Sequence, residues 1–364
     1  MSYPVLYQWI QTIANRLPCL NSWQVDNLGL FSLGIMRAES CQQQQIARQV
    51  ATGEKIESCA RRLRRFLDNN RFPLQRFFTQ WTVWIVSQLP QQKLYLLVDE
   101  TKLQDRLAAM VIGVAWEGRC IPLAWRCYAA NSHEAYPAEG QVGMIAALLQ
   151  AVKNGIDDDR PVVVLADRGI GTSPDLCQAV AALGWYYLFR VTSMTKVCTE
   201  EGDFAIANMV QAGEQWSADG LVFKQRGRLP ASAHAIWSAG YEQPWALVTN
   251  DTTLTGFEYA SRNWQEQSFR DLKSGGWHWA DSRITHPDHM ERLLVLLGIA
   301  YAWSLALGST AVSRGRAQPM QRHADGSKRR HWSLFKEGLQ FFFEHVLRHN
   351  HFISLQFLPD PRMT

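Results

Sequence analysis

The sequence lacks the cysteine spacing of a metal site or a redox pair. Seven cysteines occur among 364 residues, an odd number, and no two form a Cys-x-x-Cys motif or a cluster with histidine. This pattern argues against a zinc site and a disulfide framework, and it favours a reducing compartment. A secretory signal peptide is also missing at the start, so we expect a cytoplasmic protein.

Long apolar stretches are scarce as well. One run, residues 293–312, has no charged side chain and is long enough to cross a membrane. It contains Gly298, Tyr301, Ser304 and Gly308, and nothing else in the sequence resembles a membrane span. We therefore expect a buried core helix and no membrane partner; a single span is the alternative.

A strong net charge is absent, but the charges are unevenly distributed. Residues 1–92 carry ten Lys/Arg against five Asp/Glu, and residues 310–364 carry nine against four. The middle of the chain therefore holds 18 basic and 24 acidic residues. Basic ends around an acidic centre suit a protein that binds a polyanion with its ends and holds cations in the middle. A chance excess on solvated helices is the alternative.

The length and apolar content predict a globular protein of two or three domains. Residues 1–90 have apolar segments at helical spacing and predict a helical domain. Within it, one predicted helix combines an apolar edge with four arginines: Arg61, Arg62, Arg64 and Arg65. Such a helix could contact DNA phosphates, although basic amphipathic helices are common and many face only solvent.

Strands and helices alternate between residues 91 and 192. Two buried strands, residues 93–98 and 161–166, are followed by Asp99 and Asp167 respectively. The remaining predicted elements are a hairpin (106–116 and 120–128), two helices (140–153 and 174–184) and a strand (185–191). Open α/β sheets bind ligands at the carboxyl ends of strands, so both aspartates are candidate ligands. A turn-capping role is the alternative for each alone.

The remaining chain divides into three predicted parts. Short apolar runs broken by Gly, Pro and Asn predict a mostly β insertion over residues 193–258. Residues 259–312 return to helical spacing, and residues 313–364 form a basic tail that we expect to be helical.

The most informative stretch runs from Tyr259 to Lys273 and is followed by two glycines. In one α-helix, Tyr259, Arg262, Glu266 and Lys273 would lie within roughly 60° of one another. One face would then carry a carboxylate, two cations and a phenol, a set suited to binding a metal and phosphates. The simpler interpretation is an amphipathic helix in which Glu266 pairs with Arg270.

The spacing Tyr-x2-Arg-x3-Glu-x6-Lys resembles the signature helix of DDE transposases of bacterial insertion sequences, in the IS-four family. Residues 269–276, Phe-Arg-Asp-Leu-Lys-Ser-Gly-Gly, are similar to that family too, and the resemblance covers roughly residues 60–308. An aromatic residue often follows the signature arginine, whereas Asn263 does here. The resemblance implies an α/β fold, a ribonuclease-H-like core with a β insertion between helical flanks.

The resemblance also implies an active site. Asp99, Asp167 and Glu266 would be the catalytic residues and hold two Mg²⁺ ions, for which Mn²⁺ should substitute. In-line displacement at phosphorus needs charge stabilisation on the attacking and leaving oxygens, which two divalent ions provide, and such hard ions prefer oxygen ligands. The phosphate-binding candidates are Tyr259, Arg262, Lys273 and Arg168. Other acidic residues that compete with these three for the role of metal ligand are Glu100, Asp105 and residues 157–159.

The implied function is cut-and-paste DNA transposition. A bacterial, nucleoid-associated homodimer would bind double-stranded DNA at terminal inverted repeats, cut it and join the ends to target DNA. Arg61, Arg62, Arg64 and Arg65 would bind the end, since the family has an arginine-bearing helix there. Trp237 resembles the insertion tryptophan that stacks on a flipped base in hairpin-forming relatives; packing within the insertion is the alternative. A nuclease without strand transfer and a DNA-binding protein with lost catalysis are the other functions.

Overall fold

The computed structural model describes residues 3–130, 132, 136–156, 159–224, 227–323 and 328–362. The α-helices are α1 (Tyr3–Arg16), α2 (Ser22–Ala38), α3 (Gln43–Val50), α4 (Ile56–Leu67), α5 (Leu74–Ser87), α6 (Gly140–Lys153), α7 (Arg168–Gly171), α8 (Pro174–Ala182), α9 (Asn263–Leu272), α10 (Pro287–Ser313) and α11 (Leu334–Phe341). The strands are β1 (Leu94–Leu103), β2 (Leu107–Trp116), β3 (Arg119–Ala129), β4 (Val162–Ala166), β5 (Tyr186–Arg190), β6 (Lys196–Thr199), β7 (Gly202–Ala205), β8 (Gln215–Val222), β9 (Leu229–Ile236), β10 (Trp245–Thr249), β11 (Met320–Arg322) and β12 (Lys328–Arg330). Short 3₁₀ helices cover Ile206–Met209, Phe257–Arg262 and Trp279–Ser282, and a π-helical segment, Phe342–Leu347, follows α11.

One large mixed sheet organises the protein. Its strand order is β3-β2-β1-β4-β5-β10-β9-β8-β6-β7. Strands β1, β4 and β5 are parallel, whereas β2, β3 and β10 join through antiparallel pairing. Helices pack on both sides of the sheet, with α6 and α10 among those contacting β3 and α9 lying across β1 to β3. The class is mixed α/β, as predicted, and the strands of the predicted insertion extend the same sheet through β10.

Side-chain alternation in the central strands defines two packed faces. In β1, Val98 belongs to the larger apolar cluster and Leu97 to a smaller one. In β4, Ala166 belongs to the larger cluster and Leu165 to the smaller one. All five β4 residues are buried, so the strand is a continuous apolar run, as expected for a parallel strand covered on both faces. The smaller cluster lies beneath the 3₁₀ helix Phe257–Arg262, and this face carries the candidate site.

Helix α10 is the central helix of the larger core. It passes the length and hydropathy criteria of a membrane span, yet its most apolar window is completely buried inside the protein. Contacts with α2, α4 and α11 surround it, and the larger apolar cluster runs continuously from α1 to the C-terminal segment. The predicted core helix is therefore observed. The five N-terminal helices share this apolar core with the sheet. The predicted division of the chain into domains stays a prediction.

The C-terminal tail is less helical than predicted. Strands β11 and β12 form a two-stranded antiparallel ribbon within it. Arg330 on β12 bonds to Asp360 at 2.8 Å and to the carboxylate of Glu117 in the β2–β3 turn. These ion pairs hold the ribbon to the sheet. The contact between Arg330 and Glu117 joins residues 213 positions apart, which local spacing does not reveal.

Candidate active site

Asp99 lies inside β1 rather than after its end, contrary to the prediction. The parallel pairing of β1 with β4 ends at Val98, but the antiparallel pairing with β2 continues from Asp99 to Leu103. Asp99 is thus the first residue beyond the parallel ladder, held rigidly by the hairpin. Its Oδ1 accepts a hydrogen bond from the Glu100 amide at 3.0 Å, and the residue is only 9% exposed.

Asp167 directly follows β4, as predicted, and caps the four-residue helix α7. Its Oδ1 accepts hydrogen bonds from the amides of Gly169 and Ile170 at 3.0 and 3.2 Å. This capping fixes the carboxylate at the carboxyl end of β4 and leaves Oδ2 directed at Arg262, 3.4 Å away. The neighbouring Arg168 is exposed at the rim.

The signature stretch is not one continuous α-helix, which corrects the prediction. Tyr259 and Arg262 lie in the 3₁₀ helix, Glu266 in the first turn of α9, and Lys273 at the C-cap of α9. Tighter 3₁₀ turns are common at helix ends. The glycine pair terminates the helix as expected, since the Gly275 amide bonds to Arg270 O at 2.9 Å and a Cβ on Gly276 would overlap Asp271 O.

Arg262 brings the three predicted carboxylates together. Its Nη2 lies 2.8 Å from Asp99 Oδ1 and 3.4 Å from Asp167 Oδ2, while Nη1 donates to Glu266 Oε1. Glu266 therefore pairs one turn back with Arg262, not forward with Arg270. Residues from a strand, a strand–helix turn and a helix, separated by up to 167 positions in sequence, converge on one guanidinium.

Burial makes the ionised form of Asp99 unfavourable. Burial raises its pKa to about 6; Arg262 opposes the shift, and the charges of Asp167 and Glu266 add to it. A buried carboxylate near two others needs a cation to remain ionised. Arg262 supplies that cation, and its own pKa is raised by the three carboxylates despite burial.

The donor set suits a hard divalent cation. Asp99, Asp167 and Glu266 offer only oxygen atoms, the ligands that Mg²⁺ prefers, and two of the carboxylates already share one positively charged nitrogen. Among the described residues, no group of three or more acidic, histidine or cysteine side chains is close enough to hold a metal in this arrangement. In this structure Arg262 lies between the carboxylates, and the side chain of Glu266 is 55% exposed.

Tyr259 lies at the base of the site. It is 5% exposed, and its ring packs edge-on against Trp245 with centroids 5.2 Å apart. Burial raises the pKa of its hydroxyl, while nearby Arg262 and Arg190 act against that shift. Arg190 was missed by sequence reasoning. Arg190 ends the third parallel strand, β5, at a position equivalent to those of the two aspartates. That position could have identified it as a candidate site residue from the sequence.

Lys273 contacts the part of β1 that extends beyond Asp99. Its Nζ donates to Thr101 Oγ1 and to Lys102 O, both at 2.6 Å. Burial lowers its pKa, and the charge of Asp99 partly offsets the effect. The cation predicted to hold a second phosphate thus lies along the same edge of the sheet, two residues beyond the first carboxylate.

Trp237 follows β9 on the same sheet edge as the carboxylates. Pairing of Leu247 with Arg190 and of Trp245 with Ile236 places it there, three strand spacings, or roughly 14 Å, from β4. The ring is partly buried, and its Nε1 donates to Tyr241 O at 2.8 Å. Its role in base stacking stays a prediction.

The other candidates lie apart from the site. Arg61, Arg64 and Arg65 are exposed on α4, whereas Arg62 donates from Nε to Asn27 Oδ1 at 2.7 Å. Among the competing acids, Glu100 accepts a hydrogen bond from the Tyr128 hydroxyl. Asp105 lies in the β1–β2 turn and Asp159 is exposed. Positions 157 and 158 fall outside the described residues.

Comparison with protein families decides the affiliation of the chain. A family model described as transposase DDE domain matches residues 114–303, more than half of the sequence. The chain belongs to this family. No curated protein matches the sequence. The protein is therefore a transposase that acts on DNA, and its family generally uses divalent metal ions. The matched residues of this DDE transposase include Asp167, Glu266 and the complete signature stretch but not Asp99. The catalytic role of the three carboxylates stays a prediction.

Proposed function

We propose that this transposase moves DNA by a cut-and-paste reaction at terminal inverted repeats, as a member of the IS-four group. The observation that carries the proposal is the convergence of Asp99, Asp167 and Glu266 on Arg262. The Tyr259, Arg262, Glu266 and Lys273 spacing supports the group assignment. A homodimer acting on two DNA ends at the bacterial nucleoid in the cytoplasm completes the proposal.

The sheet supports a ribonuclease-H-like core. Its first five strands have the order β3-β2-β1-β4-β5, with β2 antiparallel to its neighbours and β1, β4 and β5 parallel. In this arrangement Asp99, the first residue beyond the parallel pairing of β1 with β4, lies beside Asp167 at the carboxyl end of β4. Two aspartates on adjacent parallel strands can then share a ligand with a third acid from the covering helix.

The chain's own residues have separate roles in this proposal. Asp99, Asp167 and Glu266 would hold two Mg²⁺ ions, which stabilise charge on the attacking and leaving oxygens of a phosphodiester. In the metal-free protein, the charge of Arg262 partly neutralises the carboxylates. Arg168, at the start of α7, and Arg190, at the end of β5, would contact the phosphate beside the reacting one.

The test uses the DNA that flanks the coding region. Purified protein is incubated with duplexes carrying the flanking inverted repeats and a target plasmid, in Mg²⁺ or in EDTA. We expect cleavage at the repeat ends and joining of the freed 3′ ends to the plasmid, in Mg²⁺ only. Cleavage without joining would identify a nuclease, and binding without cleavage would identify a DNA-binding protein with lost catalysis. Either result would contradict the proposal.

A further inference from the structure

A second basic feature lies where α4 approaches the start of α10. The two elements enclose a cavity of about 390 Å³. Four arginines and two histidines contribute to its lining: Arg61, Arg64, Arg65, Arg283, His286 and His289. Asp68 is the acid among the lining residues, and its Oδ1 lies 3.1 Å from His289 Nε2. The cleft therefore has a strong excess of positive charge.

Helix α4 presents its arginines to this cleft in a fixed orientation. Its apolar positions are buried in the core, and Arg61, Arg64 and Arg65 follow the i, i+3, i+4 spacing of one helix face. The remaining arginine, Arg62, is bonded to Asn27 on α2 and anchors the helix. Within the described residues, none of the three cleft-facing guanidinium groups has a salt bridge, so their charge is available to a ligand.

The opposite wall is built by the segment that follows the signature stretch. Arg283 is exposed and has the left-handed backbone conformation, φ 57°, which is uncommon for a side chain of this size. Arg106, at the tip of the β1–β2 hairpin, donates to Ala280 O at 2.6 Å and to Ile284 O at 3.4 Å. These bonds hold the backbone on both sides of Arg283, and in the described residues Arg283 also lacks a salt bridge.

The same hairpin connects the cleft to the active site. Strand β1 leads from Asp99 past Thr101 and Lys102, where Lys273 is bound, to the turn that carries Arg106. The four residue steps from Asp99 to Leu103 alone span roughly 13 Å. A duplex with its reacting phosphate at Asp99 would therefore reach the cleft roughly four or more base pairs away, at 3.4 Å per step.

We infer that this cleft binds backbone phosphates of the same double-stranded DNA whose end lies at the carboxylates, with Arg283 opposite Arg61, Arg64 and Arg65. The inference rests on the proposed function for its substrate. It adds a contact from the catalytic half of the chain to the N-terminal arginines. One protomer would thus grip a single duplex at two places, the reacting end and the flank.

The inference is tested by the salt dependence of duplex binding. Arg283→Ala and Arg64→Ala should each lower the log–log salt slope by about 0.9, the value for one phosphate contact, on inverted-repeat and random duplexes alike. Arg283→Lys should retain the wild-type slope because it keeps the charge. Arg16→Ala, at an exposed arginine outside the cleft, is the matched control and should leave the slope unchanged.

A duplex-length series places the contact. Shortening the flank of an end duplex should weaken wild-type binding abruptly once it no longer reaches the cleft, and Arg283→Ala should lose that step. Unchanged slopes in folded Arg283→Ala and Arg64→Ala, or a length step that persists in Arg283→Ala, would overturn the inference. Wild-type DNA binding with these slopes but without DNA joining would instead refute only the proposed function.

Discussion

A single side chain, Arg262, is the centre of the candidate site. Its guanidinium contacts carboxylates from β1, the β4–α7 turn and α9, and the residue is as buried as Asp99. The sequence predicts which residues meet, because strand-end aspartates and the signature spacing are local features. It does not predict that the arginine lies among the acids, since this depends on the 3₁₀ turn that precedes α9.

Replacing Arg262 with Gln should destabilise the metal-free protein. The change leaves buried Asp99 beside two other carboxylates without a cation, and removing one partner of a buried ion pair costs about 3 kcal/mol. Urea unfolding in EDTA measures the loss, and Mg²⁺ should restore part of it. Arg168→Gln, at the exposed neighbouring arginine, is the control. Equal stability of Arg262→Gln and wild type in EDTA would show that the guanidinium does not neutralise the site.

Buried His234 makes the free energy of unfolding of the protein depend on pH. It is buried on β9, burial lowers its pKa, and Glu258 and Asp219 oppose the shift. The unfolded chain binds a proton near the ordinary histidine pKa of about 6.5, whereas the folded chain does so only at lower pH. Stability contributed by neutral His234 is therefore present above pH 6.5 and decreases as the pH falls below it.

His234→Leu should remove the part of the stability loss at low pH that comes from this histidine. Between pH 7.5 and 5.5, wild type should lose more unfolding free energy than the variant, by up to about 1.4 kcal/mol per pH unit. Urea titrations in metal-free buffer measure the difference, and His349→Leu, at an exposed histidine, controls for the substitution itself. Parallel pH profiles for wild type and His234→Leu would contradict the prediction.

At the scale of elements, α10 and α11 cross with almost no space between them. A Cβ on Gly338 would overlap Ser304 O, and one on Gly308 would overlap Leu334 O. Gly298, on the same helix α10, is different, since a Cβ there would lie 3.6 Å from the Trp125 ring. Gly338 and Gly308 therefore allow the two helices to approach closely. Gly298 has no such role, and glycine there only weakens the helix.

Gly308→Ala and Gly298→Ala form a matched pair on one helix. Gly308→Ala should lower the free energy of unfolding by about 2 kcal/mol or more, because the added methyl overpacks a backbone contact. Gly298→Ala should be neutral or stabilising by up to about 1 kcal/mol, since alanine favours the helix. Thermal and urea unfolding measure both. A similar effect of the two substitutions would mean that the α10–α11 crossing adjusts easily.

The elements also show what local sequence patterns can predict. Strand β4 begins one residue after its predicted start, and α10 contains the whole apolar run predicted as a core helix, since a buried apolar run is visible in the sequence itself. The extension of β1 past Asp99 and the β11–β12 ribbon were missed, because each depends on antiparallel pairing with a partner strand. Periodicity describes one segment and carries no information on its partner.

At the scale of the whole molecule, the basic ends are not equally free to bind DNA. In the tail, Arg330 and Arg362 both bond to Asp360, which is 2% exposed and whose pKa is lowered to about 2, mainly by these arginines acting against burial. That charge serves to hold the C-terminal segment to the β2–β3 turn. The N-terminal arginines that line the cleft remain available, so we expect them, more than the tail, to determine the salt dependence of DNA binding.

The central claim is that Asp99, Asp167 and Glu266 form one site for metal-dependent cutting of DNA. Nicking of an inverted-repeat duplex in Mg²⁺ by Asp99→Asn, Asp167→Asn and Glu266→Gln, beside wild type, tests it most directly. Asp26→Asn and Glu201→Gln, at exposed acids, are the matched controls. We predict that each site variant loses nicking by at least about a hundredfold, retains duplex binding and folds, while both controls cut like wild type. Near-normal nicking by any one of the three folded site variants would contradict the claim.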